Sequence, residues 1–91
     1  MKLIRFAPIV EWCMARFFFH LVDSVDILLD EEGIELSREA IAANALRQAR
    51  SIIADDACRG RIDLHYRIDV KDEQGHLVHS LPFRSAVEIA A

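Results

Sequence analysis

The chain is poor in the residues that build special loops and covalent frameworks. Its 91 residues include three glycines, two prolines and two cysteines. Gly33, Gly60 and Gly75 stand alone, so no glycine-rich loop exists to cradle a phosphate. Cys13 and Cys58 are far apart and lack any Cys-x-x-Cys or Cys/His spacing. That argues against a disulfide scaffold and a zinc site, and for free thiols in a reducing compartment. Basic residues are scarce too: 11 Lys and Arg face 15 Asp and Glu, for a net charge of −4. Nonspecific nucleic-acid binding needs a concentrated cationic face, so no nucleic-acid partner is expected. The apolar stretch from Phe6 to Val22 is broken by Glu11, Arg16 and His20, short of the ~20 apolar residues that a membrane span requires. Lys2 and Arg5 ahead of Phe6-Ala7-Pro8-Ile9-Val10 have the outline of a signal peptide. Glu11 splits its apolar part, however, and no small-x-small cleavage site follows. The expectation is a cytoplasmic protein with no membrane partner.

What is present suits one small globular domain. Apolar residues make up 53% of the chain and charged residues 29%, which is not a disordered composition. At this size roughly two-thirds of the unfolded surface can be buried, so the core is thin and a partner surface would add stability. Residues 1–13 carry Pro8 and a lone Trp12 without any period. They read as an N-terminal extension, upstream of a natural start at Met14, followed by a single ββαββ domain over 14–91.

From Arg16 to Val22 the aromatic-rich run suits a strand, with Phe17, Phe19 and Leu21 on one face and Arg16, Phe18, His20 and Val22 on the other. Asp23-Ser24-Val25-Asp26 is a polar turn, and Ile27-Leu28-Leu29 is the returning strand of a hairpin. Asp30-Glu31-Glu32-Gly33 is a second turn, followed by a short extended Ile34-Glu35-Leu36. Ser37 then reads as an N-cap with Glu39 in the first turn, opening a helix from about Arg38 to Cys58 that Gly60 stops. Ile41, Ala42, Ala45, Leu46, Ala49, Ile52 and Ile53 form its apolar stripe. From Ile62 to Val70 apolar and ionisable residues alternate without a break, the pattern of a half-buried strand. Asp72-Glu73-Gln74-Gly75 connects it to a last strand, His76 to Leu81, limited by Pro82. The tail from Phe83 to Ile89 fits either a short strand or a turn of helix. The fold class that follows is α+β: a small antiparallel sheet of β-hairpin, helix and β-hairpin, with one amphipathic helix packed on one face. The inward set is Phe17, Phe19, Leu21, Leu46, Ile53, Leu64, Tyr66 and Ile68.

No residue volunteers as a catalyst. The serines lack a nucleophile-elbow context, and Asp23, Asp26, Asp30, Glu31 and Glu32 lack the order of a calcium loop. His76 and His79 fall on opposite faces of a strand, an awkward geometry for a shared metal. No metal, cofactor or catalytic residue is therefore expected. His20 and His65 belong together on the open sheet face near Arg16, Arg67 and Asp63, most simply as an ordinary polar face. Phe18 would stand on that face as an exposed contact for a second subunit or a ligand, unless Ile9, Val10 and Trp12 fold back over it. Arg16, Phe18, His20, His65 and Arg67 thus form the candidate interaction surface.

Several segments together resemble an uncharacterised family of short proteins from rhizobia and related alphaproteobacteria. They are Met14, Arg16-Phe17-Phe18-Phe19-His20-Leu21, Asp23, Asp30 to Leu36, Asp72-Glu73-Gln74-Gly75 and Pro82-Phe83-Arg84-Ser85-Ala86-Val87. Two departures from that pattern are Asp23-Ser24-Val25-Asp26, where a glycine-bearing turn is commoner, and the presence of residues 1–13. The resemblance implies no activity and no site residues. A looser likeness, of fold alone, is to HicB-type antitoxins, which also set a short antiparallel sheet before a helix. The expected role is a non-enzymatic interaction or structural module with a protein partner or a second copy of itself. An antitoxin-like protein is the alternative, and an enzyme using the His20/His65 face comes third.

Overall fold

The computed structural model describes residues 14–90. The expected extension, residues 1–13, lies outside that range, as do Cys13 and the apolar residues proposed to cover Phe18. Among the described residues, five antiparallel strands and one α-helix follow in order: β1 (Ala15–Val22), β2 (Ile27–Leu28), β3 (Ile34–Leu36), α1 (Ile41–Cys58), β4 (Arg67–Lys71) and β5 (Leu77–Pro82). The sheet runs β2-β1-β4-β5, with β3 also paired to β1. This is the α+β class read from the sequence.

The first hairpin is longer than its sequence pattern suggested. β2 pairs Leu28 with Leu21, and β3 pairs Ile34 with Phe17, so both lie along β1. Four steps along β1 correspond to six on the returning chain, and the two extra residues loop out between the paired stretches. The opposite edge of β1 is taken by β4, from Phe18 opposite Lys71 to Val22 opposite Arg67. β1 is therefore a central strand, which suits its three phenylalanines.

α1 lies across one face of the sheet. Ile41, Ala45, Ala49 and Ile53 recur every fourth residue and are buried, the two alanines completely. Small side chains at the contact let the helix approach Phe17, Phe19, Ile68 and Val70 closely. Of the expected inward set, Phe17, Phe19, Ile53 and Ile68 are buried, while Leu21, Leu46, Leu64 and Tyr66 pack against the core from its margin. Ala42, placed on the stripe by its spacing, is exposed. The helix ends as expected at Gly60, which takes φ +86; its N–H donates to the Ala57 carbonyl, and the Arg61 N–H donates to that of Asp56.

Two expectations change. Ser37 precedes a 3-10 turn, Arg38–Ala40, ahead of the α-helix, and its side chain makes no capping hydrogen bond. Its carbonyl instead accepts the Ala40 N–H at 3.0 Å. The strand expected from Ile62 begins only at Arg67. Strand β5 ends at Pro82, opposite Arg67, and β1 ends at Val22, also opposite Arg67. Residues 62–65 thus have no ladder partner on either side, and Asp63 draws the chain into a turn by accepting the His65 N–H at 3.0 Å. The tail becomes a 3-10 turn, Phe83–Ser85, that seals the core. Phe83 is fully buried against Tyr66, its N–H donates to the Tyr66 carbonyl at 2.9 Å, and Arg50 Nε donates to the Ala86 carbonyl at 2.8 Å.

Candidate functional site

Asp30 organises the margin of β1. Its Oδ2 accepts the Phe19 N–H at 3.1 Å, and its Oδ1 accepts those of Gly33 at 3.1 Å and Glu32 at 3.3 Å. Phe19 lies between the stretches of β1 that pair with β3 and with β2, where the edge would otherwise leave a donor unpaired. The Asp30 N–H donates to His20 Nδ1 at 3.0 Å, which leaves the ring proton on Nε2. Gly33 closes the loop at φ +74, with its backbone so near β1 that a Cβ would stand 2.9 Å from Arg16 Cγ, the Phe17 oxygen and Phe18 Cε2. Arg16 adds a donor to the Glu32 carbonyl at 2.7 Å and a loose, exposed ion pair to Glu35 at 3.6 Å. The two segments carrying most of the family resemblance, Arg16 to Leu21 and Asp30 to Leu36, therefore meet in space and hold each other.

The register places Arg16, Phe18, His20 and Val22 on the face away from the helix, with Arg67, Asp69 and Lys71 beside them. Four of the five expected surface residues, Arg16, Phe18, His20 and Arg67, do share that face. His65 does not: it sits in the turn before β4, where Nδ1 lies 3.1 Å from Asp63 Oδ1. His20 is instead opposite Asp69, so the two histidines form no acid–base pair. Phe18 is half-buried and stacked on His20, ring centroids 6.5 Å apart and planes 9° from parallel. Asp69 is spoken for as well, accepting Arg67 Nε at 3.0 and 3.2 Å and the Ser80 hydroxyl at 2.7 Å.

The shifted carboxylates are turn-builders. Asp63 is held below the usual carboxylate range first by the His65 backbone N–H and then by its ring, and Asp72 likewise by the backbone N–H of His76. Among the described residues no group of three His, Cys, Asp or Glu side chains is arranged to hold a metal. No described helix is long and apolar enough to cross a membrane.

The more distinctive surface is one that the sequence reading treated only as a returning strand. Val25, Ile27, Leu28 and Leu29 are 86, 60, 68 and 60% exposed. Leu28 and Leu29 overhang a cleft of about 200 Å³ on the helix side, walled by Phe19, Leu21, Ile52 and Ile68. Ile27 and Leu29 overhang another of about 220 Å³ on the outer side, beside His20, Val22, Arg67 and Lys71. A third, of about 250 Å³, lies between Leu28 and Tyr66. A two-residue edge strand with apolar side chains and hollows on both faces is an unusual thing to leave in water.

A family model described as a domain of unknown function, DUF6894, matches residues 16–84. The chain belongs to that family. The match opens at Arg16 and closes at Arg84, so it spans β1 to β5 and the turn in which Phe83 seals the core. No curated protein and no solved structure matches the chain.

Proposed function

We propose that the domain is a small non-enzymatic interaction module whose contact surface is the β2 margin and the adjoining outer face of the sheet. The observation that carries this reading is the contrast within that region. The polar groups with chemical potential, Asp30, His20 and Asp69, are engaged in holding backbone and neighbours, while the apolar side chains of 25–29 are turned outward. A protein partner is the economical cover for such a strip, because apolar area removed from water contributes about 25 cal/mol per Å². The paired variant Ile27→Asp, Leu29→Asp tests it. Tagged wild-type protein recovered from its native host should carry a stoichiometric partner that the folded double variant lacks; the same companion recovered with both would overturn the reading.

Self-association across the outer face is a second form of this reading, favoured by the mixed charges around Phe18. Arg16 with Glu35, Arg67 with Asp69, and Lys71 allow opposite charges of two copies to meet across a two-fold axis. Phe18→Glu should dissociate such a dimer, and Lys71→Glu, which does not disturb the Gly33 contact, should weaken it. Sedimentation of a monomeric wild type at high micromolar concentration removes this form.

A further inference from the structure

Every ionisable residue from 23 to 35 is a carboxylate: Asp23, Asp26, Asp30, Glu31, Glu32 and Glu35. Asp30 is occupied by backbone N–H groups and Glu35 faces Arg16, but Asp26, Glu31 and Glu32 are exposed and their carboxylates form no ion pair among the described residues, Arg16 reaching Glu32 only at its carbonyl. Asp23 on one side and Asp30, Glu31 and Glu32 on the other bracket the apolar strip of Val25, Ile27, Leu28 and Leu29, with Asp26 inside it. β2 itself ends the strand order, so among the described residues its outer edge has no strand beside it.

We infer that β2 is an acceptor edge for an extended, basic segment of a partner protein, one in which Lys or Arg alternates with apolar residues. The inference rests on the interaction-module reading and specifies its partner. Three features of the margin select that chemistry. An open edge offers backbone donors and acceptors to an incoming strand, which supplies affinity without sequence preference. Successive side chains of an added strand point to opposite faces, so alternate apolar residues extend the inner layer past Leu28 and Ile52 and enter the cleft beneath them. The carboxylates at the strip's ends attract cations and speed their encounter. A second copy of this chain is disfavoured at the same edge, because two-fold pairing would set Asp26, Glu31 and Glu32 against themselves. Nucleic acid is repelled by the same charges.

The test uses the full chain, isotope-labelled for NMR, and a synthetic octapeptide alternating arginine and valine. A peptide with four arginines followed by four valines, and one alternating glutamate and valine, are the controls. The alternating basic peptide should shift the amides of residues 25–30 and Leu21, and should weaken on raising salt. It should lose at least tenfold in affinity on Ile27→Asp, Leu29→Asp. Equal binding by the blocked peptide, or shifts confined to the Phe18 face or the helix, would overturn the proposal. So would β2 shifts that follow protein concentration alone, which would mean a second copy. Lys2→Glu with Arg5→Glu in the full chain guards against an occupant from within: a tenfold gain in peptide affinity would assign the strip to residues 1–13. If the peptide fails while the double variant still loses its native partner, the surface stands and the chemistry assigned to the partner falls.

Discussion

The two ends of β1 are built on opposite plans although the same returning chain lines both. At the Ala15 end, β3 is tied down: Leu36 is buried, Gly33 lies against three β1 atoms, and just beyond it Asp30 takes up the Phe19 N–H. At the Val22 end, β2 is held through two residue pairs and leaves its apolar side chains in water. One end uses polar groups to finish the sheet, while the other keeps apolar groups unspent. A domain this small gains little from wasting apolar surface, so the difference separates a margin that closes the fold from one that leaves it open, and it is the basis of the proposed contact surface.

Substitutions should reproduce that division. Gly33→Ala should be the most damaging. It combines positive-φ strain of about 1–2 kcal/mol with overpacking of about 1–3 kcal/mol against β1. Gly60→Ala is its control, with similar φ but nothing within 4 Å of the new Cβ. It should cost only the strain, about 1–2 kcal/mol, and thermal denaturation of the two variants separates the terms. Asp30→Ala should come next after Gly33→Ala, at about 2 kcal/mol, by stranding the Phe19 N–H. Hydrogen exchange should then quicken at Phe19, Glu32 and Gly33 while Val70 stays protected; loss of protection throughout would mean that the margin is not a separable unit. The pair Ile27→Asp, Leu29→Asp should move stability least, within about 0.5 kcal/mol, because exposed side chains away from special features rarely matter more. A large loss there would place β2 in the core's service and remove the contrast.

Much of this was readable in the chain. The helix stripe showed in its four-residue steps and its end in Gly60, and the aromatic strand and the Asp72–Gly75 connection were marked by local residues. What escaped depended on partners distant in sequence. Ile62 to Tyr66 alternates as a strand should, yet alternation reports only which faces are apolar, and both neighbouring strands stop at the level of Arg67. Asp30 looked like one acid in a solvated turn because its role requires an N–H eleven residues earlier. Ser37 had the composition of a cap, but a 3-10 turn carried its carbonyl into use rather than its hydroxyl. The candidate site was the least readable part. The spacing that grouped His65 with His20 assumed a strand that is absent, and the exposure of Ile27 to Leu29 depends on which strand ends the sheet. A local clue to that margin was nevertheless present: an uninterrupted acidic bias around a short apolar run.

The position of β1 between near and far partners has a kinetic consequence. Its pairing with β2 and β3 closes short loops, and the β4–β5 hairpin closes another, events that take microseconds in isolation. The β1–β4 seam joins segments separated by the whole helix, so its loop-closure entropy must be met before Phe19 and Val70 come together. The β1–β4 seam is therefore the expected slow pairing of the fold, and substitutions confined to β2 should leave the folding rate unchanged in stopped-flow refolding.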